Sequence, residues 1–564
     1  MTKTTNLREL LENVVKEHAN NIAFTLKLAP ETYRDITYQE FLGEVRSVAA
    51  CILASGMGGC RISMIGKNSY AWFLSNAAIN YSASIAVPLD KELEYGEFEN
   101  SLQIGEMEYL FYDEKLQPFA RQALAEGKTK LKKIIALYQA DGLYSIFDMI
   151  EEGRKLLEEG DTAVDQVTID NTGVSTLLFT SGTTSAAKAV MLCQNGIAKN
   201  ALACIHTEPF TDHDTSIALL PYHHIFGSTG QWVVIASGSR TVYCDGLKYL
   251  QKNLKEYGVS IFIGVPLIIE AMYKKVLHTA EKNGKLATLE KGRKISRFLL
   301  KCGIDVRRKL FKEVLDGLGG KLRFVIIGAA PINPESLQAF TDFGICTVQG
   351  YGLTETSPVV SAERHTHIRA GSVGIAMEGN TIKISEPNEN GIGEITVKGE
   401  NVMLGYLNNP EATAAVLKDG WFYTGDLGYM DKDGYLYITG RKKNVIVLKN
   451  GKNVFPEELE ALLEKKPYQK ELVVLGVPRN NDPKNLAVTL KIVYNEEYFE
   501  GKTFEEIDEF IKEDIDQFNE QVPPYKRIMR VIVTDGELIK TTTGKVKRYA
   551  EVEEILKKEN AQEE

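Results

Sequence analysis

Short apolar runs alternate with amphipathic helical patterns through most of this sequence, and this alternation constrains its fold most strongly. Runs such as Arg61–Ile65 and Tyr109–Tyr112 have the length and composition of buried strands, and helical periodicity fills the stretches between them. The pattern resumes at Ser216–Leu220, Ser260–Val265 and Leu322–Gly328. Strands that are joined by helices build parallel sheets covered on both faces.

The pattern changes twice toward the C-terminus. Gly371–Tyr437 contains short alternating strands with frequent glycines, which is typical of a small antiparallel β unit or a distorted barrel. The last 120 residues, approximately, combine three strand patterns with a helix at Thr503–Phe518. The first turn of this helix carries a capping box formed by Thr503 and Glu506.

The predicted fold class is therefore α/β, with two domains, because 564 residues are too many for one core. Residues 1–440 form a large N-terminal domain of two parallel-sheet α/β subdomains and a small β-barrel-like subdomain. Residues 441–564 form a small α+β C-terminal domain, whose size suits a separate folding unit.

Composition limits the partners and the compartment. The net charge of −10 lacks the basic excess with which nucleic-acid-binding proteins neutralise phosphates, so no nucleic acid is expected as a partner. Seven cysteines without C-x-x-C spacing indicate reduced thiols and a cytoplasmic protein. The most apolar run, Val259–Tyr273, is too short for a transmembrane segment. Peripheral membrane contact and a homodimer stay open.

The stretch Leu177–Leu192 is a candidate anion-binding loop. Its two apolar ends bracket a polar centre in which Gly182 allows close backbone approach and Lys188 supplies a positive charge. The hydroxyls that can donate to an anion belong to Thr180, Ser181, Thr183 and Thr184. The loop is not of the Walker A type, because no glycine precedes Lys188. A Ser/Thr-rich surface turn between two strands is the alternative.

Two further motifs follow predicted strands, and a third comes after them in the chain. PYHHIFG, at 221–227, contains adjacent histidines whose side chains point apart in regular structure, so a packed or ligand-contacting histidine is favoured over a metal site. GAAPI, at 328–332, leaves its backbone accessible to a flat ligand. In QGYGLTET, Tyr351 can stack on a base, Thr354 can donate to a phosphate and Glu355 can hold Mg²⁺.

Two more residues stand out nearer the C-terminus. Asp426 lies between glycine and leucine after an aromatic run, where a lone carboxylate can accept the two hydroxyls of a ribose. Asp431–Gly434 is a plain hairpin turn. Lys545 follows Gly544 and can deliver a charge to a distant site, although composition alone favours an ordinary solvated lysine.

In this order the motifs resemble the adenylate-forming superfamily, which includes acyl-CoA synthetases, firefly luciferase and the adenylation domains of peptide synthetases. The resemblance extends through essentially the whole chain to Arg548. It rests on the combination of SGTT with Lys188, PYHHIFG, GAAP, YGLTET, GSVG at 371–374, YTGDLG, GRKKN at 440–444 and TTGK at 542–545.

The resemblance implies a two-step reaction. A carboxylate attacks the α-phosphate of ATP with Mg²⁺, pyrophosphate leaves, and a thiol then displaces AMP from the acyl-adenylate. The C-terminal motifs and the length look most like bacterial long-chain fatty acid CoA ligases, so the implied cofactors are ATP, Mg²⁺ and CoA. The uncharged stretches Tyr222–Val234 and Ile261–Leu267 also favour an acid with a hydrocarbon tail.

By similarity, the ATP phosphates contact Ser181, Gly182, Thr183, Thr184 and Lys188. The adenine and the adjacent part of the nucleotide contact Gly328, Ala329, Ala330, Gly350, Tyr351 and Gly352, and the ribose contacts Asp426 and Arg441.

The remaining roles implied by the resemblance concern chemistry and motion. The residues with catalytic roles are Thr354 at the α-phosphate, Lys545 bridging the α-phosphate and the carboxylate, and His224 near the reacting carboxylate. Glu355 is the metal ligand, Lys443 is the hinge about which the C-terminal domain moves, and the loop around Gly451 contacts CoA.

The phosphate loop departs from the superfamily pattern at Ser185, Ala187 and Ala189, which stand in place of glycine, proline and glycine. Loss of glycine at Ser185 restricts positive φ and stiffens the loop. A nucleotide-binding regulator with an impaired phosphate loop is therefore one alternative to the ligase. A second alternative, which concerns the acyl acceptor, is an acyl-AMP ligase that loads a carrier protein.

Overall fold

The computed structural model describes residues 4–180, 188–449, 452–463, 466–479, 482–540 and 546–563. Up to residue 192 the elements are α1 (Leu7–His18), β1 (Ile22–Ala29), β2 (Thr32–Thr37), α2 (Tyr38–Ala54), β3 (Arg61–Ile65), α3 (Tyr70–Tyr81), β4 (Ile85–Leu89), α4 (Tyr95–Ile104), β5 (Tyr109–Tyr112), α5 (Gln117–Glu126), β6 (Lys133–Ala136), α6 (Ile146–Glu158), α7 (Ala163–Gln166), β7 (Thr176–Thr180) and β8 (Lys188–Leu192).

The middle of the chain continues the alternation of strands and helices. Its elements are α8 (Gln194–Thr207), β9 (Thr215–Ala218), α9 (Ile225–Ala236), β10 (Arg240–Tyr243), α10 (Leu250–Glu256), β11 (Ile261–Gly264), α11 (Pro266–Lys282), α12 (Leu286–Lys301), α13 (Arg307–Leu310), α14 (Lys312–Gly317), β12 (Phe324–Ile327), α15 (Pro334–Asp342), β13 (Cys346–Gly352) and β14 (Val359–Ala362).

The last 190 residues, approximately, are richer in short strands. They form β15 (Ile375–Ala376), β16 (Asn380–Ser385), β17 (Gly393–Gly399), β18 (Gly405–Tyr406), α16 (Pro410–Val416), β19 (Leu417–Lys418), β20 (Trp421–Met430), β21 (Leu436–Arg441), β22 (Ile446–Val447), β23 (Asn453–Val454), α17 (Pro456–Leu462), β24 (Gln469–Arg479), β25 (Asp482–Tyr494), α18 (Phe504–Gln521), β26 (Arg530–Thr534) and α19 (Arg548–Glu563).

Two large sheets with parallel centres dominate the N-terminal part, as the alternation predicts. One has the strand order β18-β8-β7-β4-β3-β5-β6, and its strands from β7 to β6 are parallel. The other has the order β15-β14-β13-β12-β11-β9-β10-β1-β2, and its strands from β13 to β1 are parallel. Antiparallel strands close the edges of both sheets. The predicted α/β class is confirmed.

The two smaller predicted units are also present. Strands β16, β17, β19, β20 and β21 form an antiparallel sheet, and residues 431–434 connect β20 to β21 as the predicted hairpin turn. In the C-terminal part β24 pairs antiparallel with β25, which pairs parallel with β26. Helix α18 begins with the predicted capping box of Thr503 and Glu506 and buries Ile507, Ile511 and Ile515.

All seven cysteines are free thiols, which agrees with the prediction of reduced cysteines. Within the part of the chain that the structure describes, no helix has both the length and the apolar composition that a bilayer-spanning segment needs.

Replacing Asp342 with alanine is expected to lower the free energy of unfolding by about 3 kcal/mol. Its carboxylate accepts hydrogen bonds from Arg293 Nε at 2.9 Å and Arg297 Nε at 2.8 Å, and the Asp342 and Arg293 side chains are 1% and 2% exposed. The variant therefore leaves a buried guanidinium without its main partner. Urea unfolding measures the loss. The control Asp316→Ala removes only an exposed pair with Lys312 and should resemble wild type, and equal effects of both variants would contradict this account.

Candidate active site

Two stretches of backbone without bulky side chains lie side by side at the carboxyl ends of β12 and β13. The register pairs Ile327 with Gln349, so Gly328 and Gly350 follow on neighbouring strands. A Cβ added at Gly328 would lie 3.4 Å from the Gly350 carbonyl oxygen and 3.0 Å from Cζ of Phe226. Only glycine therefore fits without displacing the Phe226 ring. In open α/β sheets, ligands bind at this end of the strands.

Ala329 and Ala330 continue this edge and are both exposed. Ala329 adopts a left-handed backbone conformation with φ +71°, which an alanine adopts only at a cost of about 1 kcal/mol. Such strain is concentrated at functional sites.

A carboxylate with two donors lies beside this edge. Tyr351, near the end of β13, donates its hydroxyl to Asp426 Oδ2 at 2.7 Å, and Arg441 Nε lies 2.7 Å from Asp426 Oδ1. Asp426 and Arg441 are cross-strand partners on β20 and β21, and Asp426 is only 4% exposed. Burial, and then the charge of Asp426, raise the pKa of Tyr351 well above its ordinary value, so this hydroxyl keeps its proton. The sequence singled out all three residues, and the structure brings them together.

A second cluster joins three separate parts of the chain through Tyr406. The Tyr406 hydroxyl donates to Glu355 Oε1 at 2.9 Å, and Lys188 Nζ lies 4.7 Å from the centre of the Tyr406 ring. The backbone N–H of Met403 donates to the Glu355 carbonyl oxygen at 2.8 Å. One aromatic ring therefore separates a predicted phosphate-binding lysine from a predicted metal ligand.

Sequence reasoning missed Tyr406. It lies on the two-residue strand β18, where it pairs with Val190 of β8. No local pattern distinguishes it from an ordinary buried tyrosine, because its role depends on a strand pairing across more than 200 residues. Thr354 occupies the short 3₁₀-helix Thr354–Thr356 between this cluster and Tyr351. The two clusters therefore flank a single short segment.

The predicted anion loop is bounded by a pair of antiparallel strands. Thr180 is the cross-strand partner of Lys188, and its hydroxyl donates to the Lys188 carbonyl oxygen at 3.3 Å. Ala189, one of the departures from the superfamily pattern, is buried in β8 opposite Phe179. Several predicted residues lie outside the described residues: Ser181, Gly182, Thr183, Thr184, Ser185, Ala187, Gly451 and Lys545.

The two histidines lie at the start of α9, close to the same edge. His224 is the residue before this helix, and its ring centre is 4.2 Å from that of His223. His223 Nε2 lies 3.4 Å from Asp90 Oδ1. Burial, and then the neighbouring His224, hold the pKa of His223 well below its ordinary value against the opposing charge of Asp90. His223 is therefore neutral at neutral pH.

Helix α9 connects the histidines to the segments that contain Gly328 and Ser357. Phe226, in its first turn, contacts the Gly328 position, and Thr229 donates its hydroxyl to the Ser357 carbonyl oxygen at 3.3 Å. A Cβ added at Gly230 would lie 3.0 Å from Cδ1 of Ile263 on β11. The two regions whose uncharged sequences predict a hydrocarbon pocket therefore pack tightly against each other, because α9 forms most of the first region and β11 belongs to the second.

Lys443 lies in the short 3₁₀-helix Lys442–Asn444, immediately after β21. Next to it, Asn444 Nδ2 donates to Glu457 Oε1 at 2.6 Å, and a Cβ added at Gly440 would lie 2.7 Å from Glu457 Oε2. The first turn of α17 is therefore packed against the end of β21.

Glu363 is a buried acid that sequence reasoning did not identify. Its side chain accepts the backbone N–H groups of Gln349 at 3.0 Å and Arg369 at 3.1 Å, and it is 0% exposed. Burial raises the pKa of Glu363 to about 7, although these two hydrogen bonds lower it. Glu363 thereby fixes the backbone of Gln349, the residue that precedes Gly350.

The raised pKa of Glu363 predicts a pH-dependent stability. The pKa of Glu363 is about 7 in the folded protein and 4.5 ordinarily, so the folded state binds this proton more tightly than the unfolded state does. The resulting contribution to the free energy of unfolding is complete below pH 4.5 and is lost as the pH rises through 7. Glu363→Gln cannot ionise, so its unfolding free energy should rise relative to that of wild type by roughly 2–3 kcal/mol between pH 4.5 and 7.5. Urea unfolding across this range measures the difference, with exposed Glu389→Gln as the control. Parallel pH profiles for Glu363→Gln and wild type would refute the assignment.

Curated relatives match most of the chain. Long-chain-fatty-acid–CoA ligase FadD15 of Mycobacterium tuberculosis is 27% identical over 499 residues, which cover 84% of this chain and 80% of that protein. Long chain acyl-CoA synthetase 1 of Arabidopsis thaliana is 28% identical over 494 residues, which cover 80% of this chain and 73% of that protein.

Solved structures share the fold over nearly the whole length. ATP-bound MatB from Rhodopseudomonas palustris superposes with a TM-score of 0.75 at 22% identity, covering 97% of this chain and 98% of that chain. The anthranilate CoA ligase AuaEII in complex with anthranoyl-AMP gives a TM-score of 0.75 at 20% identity, covering 97% of this chain and 96% of that chain.

Family comparison extends over both parts of the molecule. Residues 443–559 match the family described as AMP-binding enzyme C-terminal domain. Residues 11–407, which include both large sheets and the Tyr406 cluster, match the family described as AMP-binding enzyme. This chain therefore belongs to the AMP-binding enzyme family.

Proposed function

We propose that this protein is an AMP-forming acyl-CoA synthetase of the cytoplasm that acts on a medium- or long-chain fatty acid. A carboxylate oxygen of the acid attacks the α-phosphorus of ATP, a new oxygen–phosphorus bond forms, and pyrophosphate leaves as the bond from the α-phosphorus to the bridging oxygen breaks. The sulfur of CoA then attacks the acyl carbon, and AMP leaves. One observation carries this proposal: two clusters of predicted site residues flank Thr354. Tyr351, Asp426 and Arg441 form the first cluster, and Lys188 and Glu355 meet at Tyr406 in the second.

The nucleotide is proposed to bind along the glycine edge. The bare backbone at Gly328, Ala329, Ala330, Gly350 and Gly352 accommodates the flat adenine. Asp426, oriented by Tyr351 and Arg441, accepts hydrogen bonds from the ribose hydroxyls. Lys188 and the loop that precedes it, including Ser181 to Thr184, hold the β- and γ-phosphates.

Adenylation brings two anions together, so donors must be aimed at the charge that develops on the α-phosphate. Thr354 donates to an α-phosphate oxygen, and Lys545 bridges that phosphate and the carboxylate. His224 lies near the carboxylate at the entrance to the acyl pocket. These groups lower the barrier by positioning and by charge stabilisation and form no covalent bond with the substrate.

Glu355 is proposed to hold Mg²⁺ together with phosphate oxygens. A carboxylate is a suitable hard oxygen ligand, and Mg²⁺ at phosphate sites is commonly held by one or two protein carboxylates. The hydrogen bond from Tyr406 to Oε1 fixes the orientation of this carboxylate. The ion would neutralise charge on the departing pyrophosphate.

The hydrocarbon tail is proposed to lie along α9 and β11. Within α9 no residue is charged, and both α9 and β11 are largely buried. An ammonium group there would lack the buried acid that it needs, so a fatty acid suits the region better than an amino acid.

The second half-reaction is proposed to use a rotated C-terminal domain. Residues 441–564 would turn about Lys443 and exchange Lys545 for the loop around Gly451, which contacts CoA. Such alternation allows one cleft to serve two reactions. The boundary between the two family matches, residues 408–442, supports a division near residue 440.

The direct test is product formation with a panel of short, medium, long, aromatic and steroid acids. Purified protein with ATP, Mg²⁺ and a fatty acid should release pyrophosphate, hydroxylamine should trap the acyl group as a hydroxamate, and CoA should yield acyl-CoA and AMP. Pyrophosphate release without a CoA thioester would instead indicate an acyl-AMP ligase for a carrier protein. ATP binding without acid-dependent pyrophosphate release across the panel would indicate a regulator and would contradict the proposal.

A further inference from the structure

The helices between β11 and β12 carry a charge opposite to that of the protein. Residues 266–317, which span α11 to α14, contain thirteen lysines and arginines and six aspartates and glutamates, whereas the whole chain has a net charge of −10. Positive charge is therefore concentrated on one helical segment of an acidic molecule. A local patch of this kind produces an attractive field for an anionic partner despite the overall charge.

Many of these charges are not neutralised by the protein. Four of the six acids of the segment pair with its own lysines and arginines: Glu290 with Arg293, Asp305 with Arg307, Glu313 with Lys285, and Asp316 with Lys312. By contrast, ten exposed lysines in and just before the segment make no ion pair among the described residues: Lys248, Lys252, Lys255, Lys274, Lys275, Lys282, Lys291, Lys294, Lys301 and Lys309.

Large apolar side chains are exposed among these lysines. On α12, Leu289, Arg293 and Ser296 face the protein and are buried. Residues Lys291, Lys294, Ile295, Phe298 and Lys301 occupy the opposite side, which we call the α12 face. Phe298 is 66% exposed and Ile295 is 45% exposed. The α12 face therefore combines a basic stripe with an apolar stripe, which is the pattern of an interfacial amphipathic helix.

An open cleft of about 480 Å³ adds a second basic feature beside α11. Four of its lining residues are lysines: Lys248, Lys252, Lys255 and Lys275. Leu247, which is 66% exposed, directly precedes Lys248 of this lining, and Leu267, which is 73% exposed, lies at the start of α11, the helix that carries Lys275. Because α11 contacts α12, the cleft and the α12 face belong to one helical unit.

We propose that this unit docks on the surface of an anionic lipid bilayer. Lipid phosphates would neutralise the lysines, and the acyl boundary would receive Phe298, Ile295 and Leu267. A second copy of the chain would present the same positive charge and be repelled. A nucleic acid would satisfy the lysines but would leave the aliphatic side chains exposed.

Vesicle sedimentation tests the proposal independently of catalysis. At low salt the full-length protein should bind vesicles of 70% phosphatidylcholine and 30% phosphatidylglycerol at least tenfold more tightly than pure phosphatidylcholine vesicles. Molar salt should weaken the binding, because the charges are screened. Equal binding to both vesicle types, or tighter binding to an RNA homopolymer than to the anionic vesicles, would overturn the proposal.

Two variants of the α12 face distinguish the contribution of lysine charge to vesicle binding from the contribution of apolar side chains that enter the bilayer. Lys291→Glu/Lys294→Glu/Lys301→Glu should lower vesicle affinity on the order of a hundredfold, since each lysine near an anionic surface contributes about fivefold. Phe298→Ser leaves the charge unchanged and should lower affinity several-fold, which adsorption by charge alone would not produce.

A matched control has the same change in net charge at distant exposed lysines. Lys16→Glu/Lys155→Glu/Lys432→Glu should bind the anionic vesicles nearly as well as wild type. All variants should keep the wild-type melting temperature and the wild-type activity without vesicles, which shows that they are folded. Equal losses in the two triple variants would show a general charge effect and would refute docking through the α12 face.

Discussion

Replacing Asp426 with alanine is expected to lower kcat/KM for ATP by about 10²–10³-fold. Two hydrogen bonds from ribose hydroxyls to a buried carboxylate would be lost, and hydrogen bonds to charged groups are worth about 1.5–3 kcal/mol each. The variant would also remove the partner of the Tyr351 hydroxyl and of Arg441 Nε, both 2.7 Å from this carboxylate. Asp426→Asn, which keeps the shape but not the charge, should be intermediate.

The measurement is ATP-dependent pyrophosphate release at saturating acid. Asp433→Ala is a suitable control, because Asp433 lies in the exposed turn between β20 and β21 and pairs with Arg369 rather than with the Asp426 cluster. It should retain nearly full activity. An Asp426→Ala enzyme with an unchanged KM for ATP and a normal melting temperature would show that Asp426 does not bind the nucleotide.

Replacing Lys545 with alanine is expected to slow adenylation by about 10²–10³-fold, because it removes a charge aimed at the reacting phosphate. The thioester step should change by less than about threefold, since the proposed rotation moves Lys545 away before CoA attacks. Separate assays of the two half-reactions make the comparison: pyrophosphate release from ATP and acid, and acyl-CoA formation from supplied acyl-AMP.

Lys547→Ala provides the matched control two residues away, with the same loss of one lysine from the same motif. It should leave both half-reactions close to wild type. Similar losses of both half-reactions in Lys545→Ala would contradict the proposed exchange and would indicate instead that the variant disturbs the C-terminal domain as a whole.

Short-range patterns predicted the elements well. The capping box of Thr503 and Glu506 is visible in the sequence because its interactions span only three residues. The alternation of apolar strands and helices predicted parallel sheets, because a strand that is buried on both faces consists almost entirely of apolar residues. The candidate residues Tyr351, Asp426 and Arg441 were likewise visible, Tyr351 in a glycine-rich motif, Asp426 after an aromatic run and Arg441 at the end of the same motif.

The contacts between distant motifs were not visible in the same way. Tyr406, Glu363 and Phe226 contact segments that are far away in the chain, and each looks like an ordinary core or surface residue locally. Long-range pairing depends on how two sheets pack, and packing leaves no periodic signal in either partner alone. The resemblance to a known superfamily supplied roles for the motifs, but it supplied no distances.

The sequence by itself determined the two-domain α/β class, the order of the motifs and the residue types available for a nucleotide site, because these follow from local periodicity and side-chain chemistry. Only the tertiary structure decided that Lys188 and Glu355 meet at the Tyr406 ring and that Tyr351 and Arg441 hold Asp426. It also decided that six lysines of α11 and α12 are exposed and make no ion pair with any residue that the structure describes. The reason is that such proximity and exposure depend on the packing of residues that are far apart in the chain.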